Sequence, residues 1–138
     1  MSAPLLACMA VVAAFYRLPP EALPAIHRIE GGHAGSVGHN RNGTDDLGIM
    51  QVNTAWLPEL AHRTHVPQSR LRIALIRQHC FNVAVAGAIL RIYLNEAHGD
   101  AMTAIGYYHS HTPGRREAYA MRVLAVSPGV AAESRTDR

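Results

Sequence analysis

The sequence contains no lysine; all 13 of its basic residues are arginine. They form no arginine-rich run and do not interleave with aromatics, so the pattern does not support a nucleic-acid partner. Charge is scarce at 17% of residues and aromatics scarcer at 6%, whereas hydrophobic residues reach 49%. That balance excludes a disordered polyelectrolyte and gives a globular composition. The net charge of +3 suits an anionic partner without naming one. Cysteine is limited to Cys8 and Cys80. Two cysteines are the smallest disulfide set, and they are equally two unrelated buried thiols; a bridge would imply an oxidising compartment. No uncharged apolar run reaches the roughly 20 residues of a bilayer span. The stretch Met1–Tyr16 is uncharged but too short to span, and it lacks the basic start of a secretory signal. It reads as a buried first helix, with no export signal evident in the sequence.

The 138 residues fit one domain. A domain of about this size buries roughly 70% of its unfolded surface. No repeat or low-complexity segment is present, and no run alternates with period two, so the expected fold is all-α with little or no sheet. The expected helices are Leu5–Tyr16, a second one ending at Glu30, Gln68–Gln78, Cys80–His98, one capped by Asp100, and Arg115–Ala125. Cys80–His98 carries Val83, Ala86, Ile89, Leu90 and Leu94 at helical spacing and is closed by Gly99, which makes it the expected central helix. Met102, Ile105 and Tyr108 are inward-facing candidates of the next. Residues 31–47 read as a long glycine-containing loop, a type often functional. Gly48–Leu60 reads as mixed, its helix limited by Pro58. Residues 1–126 form the expected domain, and 127–138 a disordered C-terminal tail.

Glu30 is the main chemical candidate. It ends an apolar helical stretch and is followed by Gly31-Gly32, a pair that stops a helix in the left-handed conformation. A carboxyl group beside the negative end of a helix dipole and against an apolar face resists ionisation, and one protonated near neutrality can act as a general acid. The alternative is a solvated glutamate at a helix end.

Further motifs follow: Gly38-His-Asn-Arg-Asn-Gly43, Gly48-Ile-Met-Gln-Val-Asn53, Trp56-Leu-Pro58 and Ala104-Ile-Gly-Tyr-Tyr-His-Ser110. With Glu30 they resemble the lysozyme-like lytic transglycosylases of the soluble-lytic-transglycosylase domain family. The likeness is strongest to the small members that accompany type III and type IV secretion, conjugation or pilus systems, and it covers about residues 5–125. The resemblance implies a single goose-type-lysozyme-like helical domain, likewise periplasmic and monomeric. It implies cleavage of the β-1,4 bond between N-acetylmuramic acid and N-acetylglucosamine in peptidoglycan strands, without a cofactor and with formation of a 1,6-anhydro ring. It places the catalytic acid at Glu30 and implies a Cys8–Cys80 disulfide, and a secretion, conjugation or pilus machine becomes a candidate partner.

Other roles follow from the same resemblance. Gln51 binds substrate or orients Glu30, or is a surface glutamine. Met50 lines the sugar groove or belongs to the core. Tyr108, with Tyr107 as competitor, holds Glu30 or the acetamido group through its hydroxyl. Trp56 packs under the loop or stacks on a sugar, and Asn53 caps the helix that follows. Ser36 and His39 are alternative matches for a serine that the family often places in the loop. The sequence departs from the family in having Gly31 after the glutamate rather than serine, and His109 where Ala-Tyr-Asn ends in asparagine. His109 is nevertheless a candidate substrate contact. Those departures give a non-catalytic peptidoglycan-binding module as one rival reading; a hydrolytic muramidase is the other. Nine histidines are present, but none has a zinc-type spacing such as His-Glu-x-x-His, so no metal is expected. Asp45-Asp46 reads as a turn cap rather than the second carboxylate of a retaining lysozyme.

Overall fold

The computed structural model describes residues 1–130. Helix α1 (Ala3–Tyr16) starts where the Ser2 hydroxyl accepts from the Leu5 N–H, has Pro4 in its first turn, and ends at Arg17 in the left-handed region. It is buried on one side only, through Leu5, Met9, Val12 and Ala13. The other side exposes Val11 at 70% and Phe15 at 77%. Helix α2 (Ala22–Glu30) accepts Pro24 because an N–H in the first turn has no intrahelical partner to lose. It buries Ala22, Leu23, Ala25 and Ile26 and stops at Gly31, whose φ of +67° meets the left-handed requirement of the cap.

The segment after α2 is not the plain loop expected from the sequence. It holds β1 (Val37–His39) and β2 (Asp45–Leu47), and β3 (Val52–Asn53) follows. The three strands form an antiparallel sheet in the order β1-β2-β3, with Val37 opposite Leu47 and Leu47 opposite Val52. These strands are two or three residues long, too short to display a period of two. A 3-10 turn (Thr54–Trp56) leads into α3 (Leu57–Thr64). Pro58 occupies the first turn of α3 and so starts this helix rather than limiting it.

Helix α4 (Gln68–Arg77) meets α5 (His79–Glu96) at a bend of 108°. Helices α6 (Ala101–His109) and α7 (Arg115–Val126) complete the described elements. Helix α5 is the centre: it packs on α1, α2, α4, α6 and β3. All five of its sequence-predicted core positions are buried. Ile105 is buried as expected, while Met102 and Tyr108 are only partly so. The chain is thus mostly helical with one small sheet, as expected of a lysozyme-like domain. Among the described residues no single helix is long and apolar enough to cross a membrane.

Residues 127–130 fall in the segment read as a tail, yet Ser127 and Val130 are buried and the Ser127 hydroxyl donates to Glu21. Residues 131–138 of that expectation lie outside the described residues.

Cys8 and Cys80 are joined, with Cα atoms 5.5 Å apart and 72 positions apart in sequence, which ties α1 to the start of α5. On loop-closure entropy a bridge of this span stabilises the fold by about 4 kcal/mol. Replacing both cysteines by serine is therefore expected to lower the unfolding free energy by about 2–5 kcal/mol. Denaturant unfolding of the double variant beside the parent measures this; coincident midpoints would remove the bridge from the stabilising interactions.

Candidate active site

The end of α2, the sheet, and helices α5 and α6 enclose a cleft of about 350 Å³. One wall is polar and carries Glu30, Asp46, Gln51 and Asn53. Another part of the lining is aromatic. Trp56 and Tyr93 meet edge to face with centroids 6.0 Å apart, Tyr93 meets Tyr107 in the same way, and Tyr107 stacks on His111 at 4.1 Å. A larger groove of about 870 Å³ lies between α1, the α1–α2 turn and the adjoining ends of α5 and α6. It is walled mostly by apolar side chains and contains no sequence-predicted site residue.

Glu30 stands half-buried at the last position of α2, placed there by the Gly31 stop and by burial of the apolar face behind it. Its Oε1 accepts a 2.8 Å hydrogen bond from the Tyr119 hydroxyl of α7. Oε2 has no hydrogen-bond partner among the described residues. Burial raises the pKa above its ordinary 4.5; the Tyr119 bond opposes this, Asp46 adds to the rise, and Arg122 opposes it. The carboxyl group thus holds its proton to higher pH than a solvated glutamate, as read from the sequence. Burial and the adjacent Glu30 also push the Tyr119 phenol far up, so it remains a donor throughout the physiological range.

Three sequence-predicted residues join Glu30 in the cleft with free approach from solvent: Gln51, Tyr107 and His109. Gln51 adopts φ +54° and spends its side-chain amide N–H groups on the Gly48 carbonyl and Ser36 Oγ. Tyr108 also lines the cleft, but its hydroxyl donates to the Met50 carbonyl at 2.8 Å. The phenol that holds Glu30 is therefore Tyr119, not Tyr108. Met50 does not line the groove: its side chain is fully buried, and its backbone is what bears on the site. Ser36 and His39 do not reach the cleft. The Ser36 hydroxyl donates to the His33 and Gly48 carbonyls, and His39 is exposed, its Nδ1 at hydrogen-bond distance, 2.7 Å, from Asp45 Oδ1. Trp56 belongs to the cleft wall rather than lying under the loop. Asn53 does cap the following turn, accepting from the Ala55 N–H.

Asp45 and Asp46 occupy β2, not a turn. Asp45 is held by His39 and Arg72, and the His39 bond is the larger cause of its lowered pKa. Asp46 points to the other side of the strand, accepts from the Asn40 and Asn53 amides, and lines the cleft with Glu30. No group of three or more His, Cys, Asp or Glu side chains suited to a metal ion occurs among the described residues.

The segment that carries Gln51 is fixed by a residue the sequence reading missed. Asn82 is fully buried on α5. It accepts from the Met50 N–H at 2.9 Å and donates to the Leu47 and Leu75 carbonyls at 2.8 Å each. Gly48 fits beneath it because a Cβ there would collide with the Leu75 carbonyl and with the Asn82 amide. Tyr119 was missed as well; its only local sign is its spacing of four from Val123 on one helix face.

No family model matches the chain. Over 82 residues, 59% of the chain, it is 30% identical to Invasion protein IagB of Salmonella typhimurium, and to the protein of that name from Salmonella typhi. The match takes in 48% of that protein, so the chain spans about half the length of the curated relatives it matches.

Proposed function

We propose that the protein is a peptidoglycan lytic transglycosylase that works in the bacterial periplasm with Glu30 as its sole proton-transfer group. The observation that carries this reading is a carboxyl group with a raised pKa, held on one oxygen by Tyr119, in a cleft with an aromatic wall. Protonated Glu30 gives its proton to the glycosidic oxygen as the bond from C1 of N-acetylmuramic acid to that oxygen breaks. Positive charge develops on C1 and the ring oxygen. The Glu30 carboxylate, steadied by Tyr119 and Arg122, then takes the proton of the C6 hydroxyl. That oxygen bonds to C1 and closes the 1,6-anhydro ring. No water is consumed, and Glu30 ends protonated as it began. The C6 hydroxyl belongs to the same sugar as C1, so its proximity replaces a bimolecular attack.

The aromatic side chains offer flat apolar faces to the C–H faces of sugar rings. The amide N–H groups of Gln51 and Asn53 are committed within the protein, so what these two side chains offer to sugar hydroxyl and acetamido N–H groups is their oxygens as acceptors. The Cys8–Cys80 bridge fits an oxidising compartment. The likeness to a protein named for invasion fits local opening of the wall for an envelope-spanning machine.

One observation favours a second reading. Asp46 in the cleft supplies the second carboxylate a hydrolytic muramidase needs to activate water. Mass spectrometry of the muropeptides released from purified sacculi separates the two. Anhydro products, with Asp46→Asn still cleaving, are expected. Products heavier by one water, together with an inactive Asp46→Asn variant, would replace the proposal by the hydrolase. Sacculus binding without any cleavage would replace both by the binding module.

A further inference from the structure

His109 is the last residue of α6 and faces the same cleft as Glu30. Its imidazole lies flat on the ring of Tyr119, with centroids 4.7 Å apart and planes 6° from parallel. Tyr119 is 3% exposed, so that contact covers one face of a ring that is otherwise enclosed. The Tyr119 hydroxyl in turn holds Glu30 Oε1. Imidazole, phenol and carboxyl thus form one continuous chain of contacts from the cleft rim to the acid.

We infer that His109 is a positioning residue for the proposed reaction: its neutral ring seats Tyr119 against Glu30, and its imidazolium form stalls catalysis. This rests on the transglycosylase reading. Two physical effects give the sign. The transition state carries positive charge on the sugar ring, and a cation lining the same cleft opposes it. A charged ring stacked on Tyr119 also withdraws electron density from the phenol and strengthens its hydrogen bond to the Glu30 carboxylate. A carboxylate stabilised in this way is a weaker base toward the C6 hydroxyl.

The surroundings keep the ring neutral. From α7, His109 faces Tyr119, Arg115 and Arg122; from β2, Asp46; across the cleft on α2, Glu30; and on its own helix, the phenols of Tyr107 and Tyr108. Partial desolvation lowers the His109 pKa below its ordinary 6.5, and Arg122 and then Arg115 lower it further against the opposing pull of Asp46. Glu30 moves the opposite way. The working combination, protonated Glu30 with neutral His109, is therefore most populated in mildly acid solution. The basic limb of the rate profile belongs to Glu30 and the acid limb to His109.

The test is the pH profile of kcat on purified sacculi for the parent, His109→Phe and His109→Ala. The parent's rate should fall about tenfold for each pH unit below the acid midpoint. His109→Phe keeps a flat ring on Tyr119 but cannot titrate, so its acid limb should vanish while the Glu30 limb stays. His109→Ala removes the stack and should lower kcat about tenfold across the profile, with the phenylalanine variant recovering most of that loss. In tyrosine-labelled protein, the Tyr119 ring resonances of the parent should shift with the imidazole's own midpoint, and those of His109→Phe should not. An active parent whose acid limb survives in His109→Phe, or whose Tyr119 signals ignore the imidazole, overturns the inference and leaves the transglycosylase standing. A parent that releases no muropeptide at any pH overturns the transglycosylase, and the inference with it.

Discussion

Glu30→Gln is expected to reduce release of anhydro-muropeptides by about 10³-fold or more, because in the proposed mechanism this one side chain supplies both proton transfers. The fold is expected to survive, since glutamine is isosteric and its amide oxygen still accepts from Tyr119. Stability should in fact rise at neutral pH. The folded-state pKa of Glu30 lies above the unfolded value, so the native state binds the extra proton in the interval between them. Stability is therefore lost as pH rises from about 4.5 through the raised value, and glutamine, which does not titrate, is spared that loss. A thermal midpoint for Glu30→Gln that overtakes the parent's as pH rises, alongside lost cleavage, would fit both expectations. Undiminished cleavage by the variant would remove Glu30 from the chemistry altogether.

The parts of this site that were legible in the sequence are those written locally. A glycine pair after an apolar helix fixes both the end of α2 and the position of Glu30 on it, because only a left-handed cap stops the helix there. The spacing of Val83, Ala86, Ile89, Leu90 and Leu94 is enough to mark α5, since a helix buried on several sides needs apolar residues on each of them. What was illegible depends on partners far apart in sequence. Glu30 and Tyr119 are separated by 89 positions, and Met50 and Asn82 by 32. A tyrosine four residues from a valine is simply core until α7 is laid against α2. Tyr108, with Tyr107 as competitor, was the choice for the phenol at Glu30 because the resemblance sets Tyr107-Tyr108-His109 against Ala-Tyr-Asn. Its hydroxyl is committed instead to a backbone carbonyl. The small sheet escaped because β2 begins with Asp45-Asp46, residues of low strand propensity, held there by Asn53 and His39 of the neighbouring strands and by Arg72 and Asn40 from outside them.

Asn82 shows how far such a distant partner governs the site. Its side chain meets one backbone N–H and two backbone carbonyls on three segments: the end of β2, the turn to β3 and the end of α4. Alanine in its place would remove all three hydrogen bonds at a site where Leu47, Met50 and Leu75 are each 1% exposed or less. A cost of about 3 kcal/mol follows at roughly 1 kcal/mol for each hydrogen bond lost. For a domain of this size that corresponds to a fall in Tm of about 10 °C. Asn82→Asp separates the contributions: it keeps the acceptor for the Met50 N–H but supplies no donor to the two carbonyls, and it buries a charge, so it should be at least as destabilising as alanine. The functional consequence is expected to follow the structural one. The Gly48–Gln51 turn carries Gln51 into the cleft and presents the Met50 carbonyl to Tyr108, and Asn82 is the residue that sets the height of that turn above α5. Cleavage by Asn82→Ala should therefore be reduced well below its Tm, at temperatures where the protein is still folded. If the variant unfolded at the parent's temperature, the three hydrogen bonds would not be what fixes the turn. If it were destabilised yet fully active when folded, the turn would be held over the cleft by Tyr108 and the sheet alone.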